Sequence, residues 1–128
     1  MSASSEAQAF ARRLYDAAHE HRAITRLTLE RPIDEREAYD IQSALVQEYV
    51  SHGAKVVGKK TGLTSKAKQV QMNTNEPLYA YLLDHTILTD GAQIARDQLI
   101  HPRVEAEIAF VMARPLQGPR VTGDQVLS

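Results

Sequence analysis

Glu105 and Glu107 stand two residues apart inside the stretch LIHPRVEAEIAFV, residues 99 to 111. Side chains of an extended strand alternate between faces, so the two carboxylates share one face with Ala109 and Val111. The other face carries Val104, Ala106, Ile108 and Phe110, all apolar. A strand apolar on both sides is expected to be buried on both sides. Carboxylates ~7 Å apart repel by about 2 kcal/mol at an effective dielectric near 20, and burial adds a desolvation cost. Two readings follow. Either these are solvated glutamates on an edge strand, or they are oxygen ligands for a hard divalent cation, Mg²⁺ or Mn²⁺. In the second case the cation converts repulsion into coordination, with waters and a substrate completing its shell.

Lys60 is the second candidate. It lies in GKKTGLTS and, on a strand, shares a face with Val56 and Gly58, whereas Lys59 sides with Lys55 and Val57. Each lysine is either a solvated strand end or a cation for a substrate carboxylate or enolate oxygen. The segment Thr61 to Ser65 opens a helix whose free N–H groups suit an anionic group. There is no G-x-x-x-x-G-K phosphate loop. His19, His21 and His52 read as surface residues, and His85 and His101 flank strands. Neither a Ser-His-Asp order nor H-E-x-x-H is present.

The elements that must position these groups are legible from periodicity. Ser5 and Gln8 form a capping box for a first helix running to about His21, with Phe10, Leu14 and Ala17 or Ala18 as its apolar stripe. Asp34 caps a second helix striped by Ala38, Ile41, Leu45 and Tyr49 and stopped by Gly53. The intervening RAITRLTLERPID reads as an extended connector, because Pro32 excludes a continuous helix. A strand is expected over Lys55 to Lys60, then a helix from Thr64 or Ser65 to about Met72. LYAYLL and HTIL have strand length, Asp90-Gly91 is a turn, and Thr122 caps a last helix. The fold class is α+β, with a helical region over 1–53 and the start of a β-rich catalytic domain over 54–128.

Bulk properties exclude several roles. A chain of 128 residues supports one modest core. Net charge is −1 with scattered basic residues, and aromatics make up 5% with no tryptophan. That leaves neither an electrostatic footprint nor stacking platforms for nucleic acid. Absence of cysteine excludes disulfides and thiolate metal sites, in keeping with a reducing cytoplasm. No apolar run approaches the ~20 residues of a membrane span, and the N-terminus lacks the apolar core of a signal peptide. A soluble cytoplasmic protein is expected.

Three linked stretches, VVGKKTGLTSKA, EPLYAYLLD and HPRVEAEIAFVMARPLQGP, together with YDIQ of the second helix, resemble the hydratase/decarboxylase branch of the fumarylacetoacetate hydrolase superfamily. That branch includes 4-oxalocrotonate decarboxylase and 2-oxopent-4-enoate hydratase, which act in meta-cleavage catabolism of aromatic compounds. The resemblance implies the first part of a mixed β-barrel fold, an N-terminal half whose third metal-binding glutamate lies beyond residue 128. It assigns Glu105 and Glu107 to the metal, Lys60 to catalysis in G-x-K-x-G-L-T, and Thr64, Ser65, Leu78 and Tyr79 to the substrate. Hydratases of this kind read Pro-Asp-Phe-Gly where this chain has Pro77-Leu78-Tyr79-Ala80, and decarboxylases carry an aliphatic residue and then tyrosine there. The implied reaction is decarboxylation of 2-oxo-3-hexenedioate (4-oxalocrotonate) to a 2-hydroxydienoate. The alternatives are a 2-oxopent-4-enoate-type hydratase and a non-catalytic fragment that binds a partner. A small 2-oxo acid substrate, a homo-oligomer and a complex between hydratase and decarboxylase are the partners the resemblance implies.

Overall fold

The computed structural model describes residues 4–127. Helix α1 spans Ser5–His19, and α2 spans Glu35–Ser51. Strand β1 (Val56–Gly62), helix α3 (Lys66–Gln71) and strand β2 (Leu78–Leu83) follow, and α4 (Gly123–Leu127) closes the described chain.

Helix α1 starts one residue earlier than its sequence signal suggested. Ser4 is extended, and its hydroxyl accepts the Ala7 N–H at 3.1 Å, so Ser4 and not Ser5 is the cap. Asp34 caps α2 as expected, its Oδ1 accepting the Glu37 N–H at 2.8 Å. Gly53 ends the helix region at φ +96°, a backbone state that costs other residues. The connector is not uniformly extended, since Leu27–Leu29 form a 3₁₀ turn.

The two helices exist by burying each other's stripes. Ala7, Phe10 and Ile41 form the buried cluster, and Leu14, Leu27 and Ile33 pack around it. Burying a phenylalanine or isoleucine side chain contributes about 1.5–3 kcal/mol each. Polar groups finish the seam. Arg12 pairs with Glu48 across the helices. Arg31 reaches Glu6 at 2.9 Å, pairs with Glu37, and lays its guanidinium 5.1 Å above the Phe10 ring.

Strands β1 and β2 form an antiparallel two-stranded sheet in which Lys60 faces Ala80 and Thr61 faces Tyr79. Helix α2 holds β2 from the side. The Tyr79 N–H donates to the Tyr39 hydroxyl at 3.4 Å, and the Gln42 side-chain amide donates to the Tyr79 carbonyl at 3.2 Å. The Tyr39 and Tyr79 rings stack at 4.7 Å between centroids. Tyr39 and Gln42 of the YDIQ stretch are thus the grip of α2 on β2. No helix among the described residues is long and apolar enough to cross a membrane.

Two expected strands do not form. HTIL gives a 3₁₀ turn, Asp84–Thr86, followed by irregular chain. Residues 99–122 contain neither helix nor strand, so Glu105 and Glu107 do not lie on a strand. A strand persists only by pairing its N–H and C=O groups. Among the described residues the sheet has two strands, and neither pairs with 104–111. The apolar faces are correspondingly open, with Val104 100% and Val111 99% exposed.

Candidate functional site

The β1–β2 register settles which lysine is available. Lys59 faces Tyr81, and its ammonium lies 5.5 Å from the Tyr81 ring centroid and 5.9 Å from that of Tyr79. That geometry ties the Lys59 charge to two aromatic faces. Lys60 points to the opposite face, alongside Gly58, Gly62, Leu78 and Leu82. Among the described residues its side chain makes no hydrogen bond or ion pair, and the residue is exposed.

The same alternation divides Leu78 from Tyr79. Leu78, opposite Gly62, shares the Lys60 face, whereas Tyr79 shares the Lys59 face and is held by Tyr39 and Gln42. Ala80 is directly opposite Lys60, Leu78 is its diagonal neighbour on the same face, and Tyr79 is turned toward α2. A small cleft of about 180 Å³ lies at this junction, lined by Glu35, Ala38, Tyr39, Gln42, Leu78 and Tyr79.

Thr64 and Ser65 sit in the turn after β1, both exposed. The Ser65 hydroxyl is already engaged, accepting the Lys68 N–H at 3.3 Å as the cap of α3. With only six residues, α3 adds little dipole to an anion site. Sequence reasoning passed over the residue that holds this turn. Gln69 is 4% exposed, donates from its side-chain amide to the Leu63 carbonyl at 2.8 Å, and accepts from the Lys66 ammonium at 3.1 Å. The signal that could have found it is a polar amide in a short helix beside a left-handed turn, because a buried amide needs partners.

At the far end of the sheet, Asp84 accepts the Lys55 and His85 N–H groups, each at 3.0 Å. The Lys55 bond, then that from His85, holds the Asp84 carboxyl below its usual value. Tyr49, packed against Tyr15, has its phenol pushed upward, chiefly by burial.

Glu105 and Glu107 lie in an exposed segment that forms neither helix nor strand. Their donor chemistry suits Mg²⁺, but among the described residues no three acidic or histidine side chains converge on a common point. A hard cation needs about six oxygens, so two carboxylates without a third protein ligand do not make a tight site. The arrangement does not fit a resident metal held by these residues alone. The sheet register places Lys60 and Leu78 on one face, and the two glutamates lie on neither strand of that sheet.

No protein-family model matches the chain. Named relatives do. It is 45% identical over 92 residues, 72% of this chain and 35% of the relative, to 4-oxalocrotonate decarboxylase of Pseudomonas sp. strain CF600. It is 41% identical over 113 residues, 88% of this chain and 42% of the relative, to 2-oxo-hept-4-ene-1,7-dioate hydratase of Escherichia coli. Among solved structures, 4-oxalocrotonate decarboxylase from Pseudomonas putida G7, complexed with magnesium and adipate, matches with a TM-score of 0.83 at 36% identity, over 89% of this chain and 44% of that one. The expected kinship with decarboxylases and hydratases of this kind is borne out. The chain spans about a third to under a half of the length of these three relatives.

Proposed function

We propose, from its kinship with 4-oxalocrotonate decarboxylases and dienoate hydratases, that this chain supplies part of a metal-dependent lyase that decarboxylates 2-oxo-3-hexenedioate to a 2-hydroxydienoate. The observation that carries the reading is the likeness to the solved decarboxylase over 89% of this chain at 36% identity. Leu78 supports it from within, because it puts an aliphatic side chain beside Lys60.

In this reading Lys60 is the cation that meets the substrate. Its ammonium is unengaged among the described residues, and charge or a hydrogen bond from it stabilises the oxyanion that grows as the remote carboxylate leaves as CO₂. Leu78 on the same face offers no proton, which suits departure of CO₂ over addition of water. Tyr79 and Thr64 border the turn and strand that carry Lys60, and Ser65 keeps α3 in place beneath them. Glu105 and Glu107 are proposed as ligands that join a cation only when a further carboxylate is brought to them. Mg²⁺, or Mn²⁺ in its place, would act when bound as a Lewis acid on the 2-oxo acid. The β-barrel built from further strands, the homo-oligomer, the partner enzyme and the cytoplasmic setting belong to the same proposal.

Hydration of a 2-oxopent-4-enoate-type substrate is the second reading, supported by the 41% identity to the hydratase. Assays of CO₂ release and of water addition on the two substrates separate them. Leu78→Asp sharpens the test: it is expected to raise water addition relative to decarboxylation, and an unchanged ratio counts against the role of Leu78. Titration of Mn²⁺ into the 128-residue chain tests the ligand set. Millimolar or absent binding is expected of two carboxylates alone, whereas micromolar binding shows that copies of the chain complete the site.

A further inference from the structure

The residue between Lys60 and the cap of α3 that adopts a strained conformation is not a glycine. Leu63 has φ +55°, whereas the adjacent Gly62 stays within β1. A leucine is held in the left-handed region only when its surroundings over-determine it.

Gln69 is that surrounding. Its amide orientation is fixed by chemistry, since a carbonyl must receive a hydrogen and an ammonium must give one. The nitrogen therefore faces the Leu63 carbonyl and the oxygen faces Lys66, as the distances of 2.8 and 3.1 Å require. Its main chain is also engaged: its N–H donates to the Ser65 carbonyl at 3.0 Å, and its carbonyl accepts the Thr74 N–H at 2.9 Å. Every polar group of this buried residue is thus committed to the turn before α3, to α3 itself or to the loop after it.

We infer that Gln69 is a positioning residue that sets how Lys60 and the Thr64–Ser65 turn stand relative to one another, by holding the Leu63–Thr64 peptide in its left-handed arrangement. The peptide plane carrying the Leu63 carbonyl is the one from which Thr64 departs, so fixing that oxygen fixes the exit direction of the turn. The substrate side of this inference rests on the reading of Lys60 as the substrate-facing cation.

Gln69→Glu tests it in the whole 128-residue chain. The variant keeps the length and the acceptor for Lys66 but turns an oxygen toward the Leu63 carbonyl. Amide hydrogen exchange at Lys68 and Gln69, whose N–H groups bond to Ser65, is expected to accelerate about tenfold, with β1 and β2 unchanged. Adding Leu63→Gly, which accepts the left-handed state freely, should recover much of the protection. Should Gln69→Glu not fold, Gln69→Met carries the same readout with no oxygen at that place. The second measurement titrates adipate with Mg²⁺ while following the Lys60 resonances. A several-fold weaker response in the variant, recovered with Leu63→Gly, supports positioning. Unchanged exchange overturns the inference, whatever adipate does. Faster exchange with an unchanged adipate response reduces Gln69 to a purely structural prop and overturns its positioning role. No adipate response in the unaltered chain overturns the substrate side of this inference alone, because the proposed lyase needs a further carboxylate for its metal, and the exchange result still decides who holds the turn.

Discussion

The chain has two phenylalanines, and they live in opposite circumstances. Phe10 is 7% exposed, packed with Ala7 and Ile41 beneath the guanidinium of Arg31. Phe110 is 60% exposed, in a stretch without helix or strand. Both sit in apolar, periodic surroundings. The difference is that α1, α2 and their connector supply partners for the face that carries Phe10, and residues 99–111 have none for theirs among the described residues. Periodicity reports that a face is to be buried and is silent on what buries it.

The strongest way to break this contrast is to truncate both rings. Phe10→Ala should cost about 3–5 kcal/mol, enough to unfold much of the α1–α2 pair. Phe110→Ala should leave the urea midpoint where it was. Comparable losses in the two variants would mean that Phe110 is packed in solution and that the two regions are alike.

A smaller effect comes from the backbone. Gly53→Ala forces a side chain into φ +96° at the exit of α2, with an expected loss of about 1 kcal/mol by the same denaturation measurement. An unchanged midpoint would show that the end of α2 relaxes freely and that the boundary between helices and sheet is softer than the packed half as a whole.

Where the sequence was legible, the reason was local. Asp34 and Gly53 mark α2 because a cap and a left-handed exit need no distant partner. LYAYLL and KVVGKK found each other because a single short connection through α3 brings the chain back beside β1. Inside α3 hydropathy misled: Val70 is 80% exposed and Gln69 is buried, since the Leu63 carbonyl demands a donor and selects the amide. The candidate site could be read as residue types and not as geometry. The pattern singled out Lys60, Leu78 and Tyr79, but only register assigns the first two to one face and the third to the other. Glu105 and Glu107 were legible as a pair and illegible in placement, because strand formation there depends on hydrogen-bond partners that this stretch does not carry.

Acid exposes a third, weaker difference. Hydrogen bonds from Arg31 hold the Glu37 carboxyl below its ordinary 4.5, and those from Arg13 do the same for Glu30. The Lys55 N–H holds Asp84 below 3.8. Each group has a depressed folded pKa, so its stabilisation is fully present above the ordinary value and disappears as pH falls through the folded one. The packed half should therefore lose stability below about pH 4.5, modestly because the groups face solvent. Arg31→Met should remove the Glu37 part of that slope. A slope that persists unchanged would place the acid sensitivity elsewhere.

The smallest expected effect falls on the stretch with the strongest apolar pattern. Val104 is fully exposed, so Val104→Ser removes no buried surface and should shift the denaturation midpoint by less than about 0.5 kcal/mol. Amides of 104–111 should exchange at near-unprotected rates while those of α2 are slowed, because α2 bonds its N–H groups within the helix and 104–111 form neither helix nor strand. A destabilising Val104→Ser or a protected Glu105 amide would show that this stretch pairs as a strand, with a second copy if protection rises with concentration and within one chain if it does not. Pairing would also place Glu105 and Glu107 on a common face, the arrangement their spacing favours. Fast exchange would keep the two carboxylates independent, and Mn²⁺ would then bind them no better than it binds isolated surface glutamates.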